Sequence, residues 1–170
     1  MLTETITQER LKIFYAHSVY LIKLEHEIEE FRENYNALKS SNFSDVRVTS
    51  GSKKLSAEEM YAQCLESKCK KYDKIKNFVD SEKPIIWEQI NRLTNIDYKN
   101  ILEDRYINLK DWKIIALEYF GNQRDYWLQR DFKYHFIVMT WHRRAVEALE
   151  DISSKPFLKE ENVQLNLEGV

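Results

Sequence analysis

Three glycines and two prolines are all that this chain of 170 residues contains, where average usage of about 12% predicts roughly 20. A chain so poor in turn residues cannot make the many tight reversals of a β-sandwich or barrel. The expected class is therefore all-α, built of long helices. Apolar residues are 43% and charged residues 32%, enough for a core beneath a solvated surface, which excludes wholesale disorder. The formal charge of −2 argues against coating nucleic acid by bulk electrostatics, so any nucleic-acid site is a local patch. Cys64 and Cys69 would lie on different helix faces about 7.5 Å apart along the axis, too far for a disulfide. Isolated thiols suit a reducing compartment. The opening MLTETITQER lacks the apolar run of a signal peptide, and no stretch of about 18 apolar residues offers a membrane span. These readings give a soluble protein of the cytoplasm.

The periodicity divides the chain into five parts. In residues 1–40, Phe14, Leu21, Leu24, Ile28, Phe31, Tyr35 and Leu38 alternate spacings of three and four, a heptad-like seam on one long helix. The seam needs cover, either from its own domain, through the helix that begins at Ser56, or from a second copy in a coiled coil. The connector of 41–55, around Gly51, would let the helix reach a second protomer, and the reading leans towards a homodimer. Ser56 and Glu59 form a capping box that opens the lead-in of 56–96. Its first helix runs to about Asp80, and Ser81 and Pro84 start a second, short one that buries Ile85, Ile86, Trp87, Ile90 and Leu93. Asp97 is the expected cap of the next unit, 97–150. Here DWKIIALEYF forms a helix, Gly121 ends it in the left-handed conformation, and FKYHFIVMTWHRRAVEALE forms the last helix. A loose tail, 151–170, follows Asp151.

Chemistry is sparse. The glycines make no phosphate-binding loop, and His17, His26, His135 and His142 fall into no HExxH or Cys-partnered metal spacing. Ser153 and Ser154 have no evident base. An enzyme, a cofactor and a metal site are therefore not expected. What residues 97–150 do offer is the ordering of a helix-turn-helix unit, in which two helices hold a third in the major groove. Val138, Trp141, Ala145, Val146 and Leu149 would bury one face of the last helix. Lys133, His135, Thr140, His142, Arg143 and Arg144 are then the candidate DNA-binding residues. Arg130 to Arg144 holds four basic residues and one acid, within a unit that balances nine against nine.

The order of these residues resembles a known family. Arg105 and Tyr106, Lys110 and Trp112, Ile115 and Ala116, Phe120 and Gly121, Arg124, Asp125 and Tyr126, and His142, Ala145 and Val146 match the pattern of the ArpU-like and RinA-like transcriptional regulators of Gram-positive phages and their satellites. The resemblance covers roughly residues 55–150. It implies a fold related to the sigma-factor domain that reads the upstream promoter element, double-stranded DNA as partner, and a role in switching phage genes. By that likeness WKIIALEYF is the positioning helix, and the last helix includes the recognition helix. HFIVMTW is apolar where the family tends to carry arginines. The alternative is a helical protein-interaction module directed at RNA polymerase or another host or phage protein.

Overall fold

The computed structural model describes residues 5–40 and 56–155, without the side chains of 37–40 and 57. All regular secondary structure among them is helical. The expected connector of 41–55 and the tail from 156 onward lie outside the described residues.

Helix α1, Gln8–Ser40, starts at Thr7, whose hydroxyl accepts the Arg10 N–H at 3.2 Å, the bond an N-cap makes to the third helical residue. Helix α2, Ala57–Asn91, starts at the capping box that Ser56 and Glu59 form. The two lie antiparallel. Tyr61 stacks on Phe31 and Tyr35 at one end, Lys68 meets Glu27 in the middle, and Arg10 pairs with Glu82 at 2.7 Å at the other. The α1 seam is thus covered within the chain, with Leu24 and Ile28 buried.

One expected break is absent. Pro84 lies inside α2, which does not stop at Asp80. An interior proline removes one backbone bond and costs about 3 kcal/mol. Here Val79 lies before it and Ile86, Ile90 and Leu93 after it, all in one core, and their burial holds the helix together. That core face leaves Trp87 on the flank, 49% exposed, with Ile85 also outward; neither is buried as the sequence suggests.

Helix α3, Ile96–Leu102, is capped by Asn95, not Asp97. The Asn95 side chain accepts the N–H groups of Asp97 and Tyr98, and Asp97 instead sits in the first turn, where its charge suits the helix dipole. A π-helical turn, Glu103–Ile107, extends α3. Leu109, at φ 54°, turns the chain, and Lys110 pins the corner by reaching Asp104 at 2.9 Å and Glu118 at 2.6 Å. Helix α4, Trp112–Phe120, ends at Gly121. The left-handed residue therefore sits one connector earlier than expected, because Gly121 is right-handed (φ −57°, ψ −25°). Glycine is needed there for a different reason: a β-carbon would overlap the Leu117 carbonyl oxygen. Gly121→Ala should cost about 1–3 kcal/mol, read as a lower urea midpoint; an unchanged midpoint would show that the turn relaxes freely.

Helix α5, Tyr126–Gln129, runs through a second π-helical turn, Arg130–Tyr134, into α6, His135–Ser153. The buried face of α6 holds Val138, Ala145, Val146 and Leu149 as the spacing predicts, with Trp141 packed partly buried against the core. The helix continues past Asp151. Ser153 is fully buried, and its hydroxyl accepts the Ile6 N–H at 2.9 Å. Together with Gln8 N–H to Glu150 at 2.7 Å, that bond fastens the start of α1 to the end of α6. One core runs from Ile6, Leu11 and Phe14 to Leu149, so the first helix is part of the C-terminal unit and not an appendage to it.

Candidate nucleic-acid interface

Ile101 and Leu102 of α3, Ile115 and Ala116 of α4, and the inner face of α6 share the core. α6 packs against both α3 and α4 through this core. The outward residues of α6 and of the arm leading into it are then the surface open to a partner.

The six candidate residues separate. Arg143 is outward, its side chain 70% exposed and 3.9 Å from Glu147, a distance at which the pair contributes little. Arg144 is exposed and makes no ion pair or hydrogen bond among the described residues. Lys133 is exposed, but its ammonium donates to Asp125 at 2.8 Å and to the Tyr134 hydroxyl at 3.3 Å. Hydrogen bonds from Lys133 and Tyr134 hold the Asp125 carboxyl below its usual range, so the lysine charge is already matched. His135 is half-buried at the first turn of α6. Thr140 spends its hydroxyl proton on the Phe136 carbonyl at 2.8 Å.

His142 does not face outward. It is buried, 2.9 Å from the Tyr106 hydroxyl and edge-on to Trp112. Burial, with the Arg105 charge second, lowers its pKa to about 4, so it is neutral at pH 7. The helical period explains this: His142 lies four residues after Val138 and three before Ala145, inside the stripe those residues define. It packs inward against Tyr106 and Trp112, so it is not part of the outward face.

Two features escape a reading by charge. The Arg105 guanidinium lies between two rings, 3.8 Å from the centroid of Tyr15 and 4.4 Å from that of Trp112, and donates to the Lys110 carbonyl at 2.9 Å. Arg105 and Trp112 are both in the family-like pattern, which was the available signal; Tyr15, ninety residues upstream, carried none. The second feature is a ridge of large apolar side chains on the α5–α6 arm. Trp127, Leu128, Phe132 and Phe136 are 69%, 84%, 83% and 70% exposed. The spacing 128, 132, 136 was a visible i, i+4 series, but on a helix whose other face is also apolar it does not announce which face is inward.

Among the described residues no cluster of His, Cys, Asp or Glu is placed to hold a metal ion, and no helix is long and apolar enough to cross a membrane. No family model, curated protein or solved structure matches the chain.

Proposed function

We propose that the protein is a DNA-binding transcriptional regulator of the helix-turn-helix type, the kind that switches phage genes in the host cell cytoplasm. In this reading α4 positions and the α5–α6 arm reads. What carries it is the pair Arg143 and Arg144, presented outward on α6, Arg143 with only the exposed Glu147 carboxylate 3.9 Å away and Arg144 with no ion pair among the described residues. An outward arginine either reads a guanine edge or clamps a phosphate. The two roles separate by titrating duplex DNA flanking the gene at two salt concentrations. Alanine at a base-reading arginine relaxes preference at one base pair by about 1–3 kcal/mol. Alanine at a phosphate-clamping one weakens all sequences alike and lowers the salt slope by about one. The double variant Arg143→Ala/Arg144→Ala should show one or both effects. Equal affinity of variant and wild type would remove the reading.

A second reading draws on the ridge of Trp127, Leu128, Phe132 and Phe136. Exposed apolar side chains grouped on one arm mark a protein contact more often than a nucleic-acid one. RNA polymerase or another host or phage protein is the target this reading names. Leu128→Ser/Phe132→Ser would then abolish function while leaving DNA affinity intact.

A further inference from the structure

Where the start of α1 crosses α6, the molecule has an open cleft of about 520 Å³, within the range of small-ligand sites. Its walls bring together residues from four parts of the chain. Lys12 and Tyr15 come from α1, Arg105 from the π-helical turn after α3, Trp112 from the start of α4, and Phe136 and Arg143 from α6. Three of these are cations, and no carboxylate lines the cleft. The nearby acids do not cancel them. Asp111 and Glu147 stand 3.9 Å from Arg105 and Arg143 and are themselves well exposed, and Glu150 is engaged by the Gln8 N–H. His142, on the floor, is neutral and occupied with Tyr106.

The Arg105 site has a defined geometry. Its guanidinium lies between the rings of Tyr15 and Trp112 with one nitrogen on the Lys110 carbonyl. The other N–H groups of the fork make no hydrogen bond among the described residues. A clamped fork loses little freedom on meeting a tetrahedral anion and binds it through paired N–H bonds. Beside it, the exposed ring of Phe136 offers a face on which a planar group can stack.

We infer that this cleft binds a nucleotide unit, its phosphate taken by Arg105 with Lys12 and Arg143 and its base laid against the Phe136 ring. The site shares Arg143 with the outward face assigned to DNA reading, but Lys12, Tyr15 and Arg105 belong to it alone, and it stands without that assignment. The phosphate can come from a free mononucleotide or from a nucleotide of a strand.

Calorimetric titration of the full chain tests it. The probes are adenosine monophosphate, adenosine, inorganic phosphate and a DNA duplex. Adenosine monophosphate should bind, with the ring alone and the anion alone each weaker by about tenfold or more, since each lacks half of the contacts. Lys12→Ala, a change at an exposed residue outside the core, should weaken the mononucleotide by about tenfold. If the strand is the natural source, the same variant weakens duplex binding instead, and the mononucleotide alone binds poorly. Mononucleotide binding that Lys12→Ala and Arg143→Ala leave unchanged would overturn the site. So would a Lys12→Ala protein with wild-type duplex affinity and no mononucleotide binding in the wild type. A chain that binds mononucleotide but no duplex would fail the DNA reading and keep this one.

Discussion

Phe14→Ala should cost the protein about 3–5 kcal/mol, the range of a large aromatic removed from a packed core. Phe14 is 1% exposed and lies in the same cluster as Ile101, Tyr106 and Leu149, although more than eighty residues separate it from the nearest of them. A helical appendage would lose little on such a change, because its side chains would pack only against α2. The expected loss is a large share of the about 5–15 kcal/mol that holds a typical domain together. Urea denaturation followed by circular dichroism and by tryptophan emission measures it. The two signals should shift to lower urea together, since α1 and the tryptophan-bearing helices share one core. A loss below about 1 kcal/mol, or a shift in one signal alone, would return α1 to the status of a separate element.

Stability should also fall as the pH drops from about 6.5 to about 4, through His142. In the folded protein this imidazole is buried and its pKa is lowered to about 4, whereas in the unfolded chain it titrates near 6.5. Between those values the unfolded state binds a proton that the folded state does not, so stability rises with pH across the window and is fully present above it. A difference of that size corresponds to at most about 3–4 kcal/mol. Asp125 and Asp131, whose carboxyls are held low by Lys133 and Arg130, act in the same direction but at lower pH. The measurement is the unfolding free energy at pH 7 and pH 5, for wild type and for His142→Gln. The wild type should lose stability over that interval and the variant should not; parallel curves would place the proton elsewhere.

The helical class, the Ser56–Glu59 cap and the inward stripe of α6 were readable because each is local, set by residues within one or two turns. What the sequence hid depends on partners far along the chain. Pro84 reads as a stop until Ile86 and Ile90 are known to be buried beyond it. The seam of α1 leaves its cover open between a second copy and the helix beginning at Ser56, and the stack of Tyr61 on Tyr35 shows that helix against it. His142 is a plausible DNA contact by composition and an inward residue by phase. The candidate face was half legible: Arg143 and Arg144 are outward as expected, Lys133 is tied to Asp125, and Thr140 to its own helix. Arg105 stood in the family-like pattern, but its use required Tyr15, which no pattern linked to it.

The bond from Ile6 to Ser153 spans 147 positions, and it has a consequence for synthesis. Ile6, Leu11 and Phe14 leave the ribosome long before α6 does, yet the surface that covers them is completed only when α6 has emerged. During that interval α1 and α2 can pair, since their contacts need only the chain already made, but the leading end of α1 stays uncovered. Contacts of such long range form late and slowly, and uncovered apolar surface on a nascent chain is what holding chaperones recognise. On this order α1 and α2 pair first, and the leading end of α1 is covered only when α6 arrives.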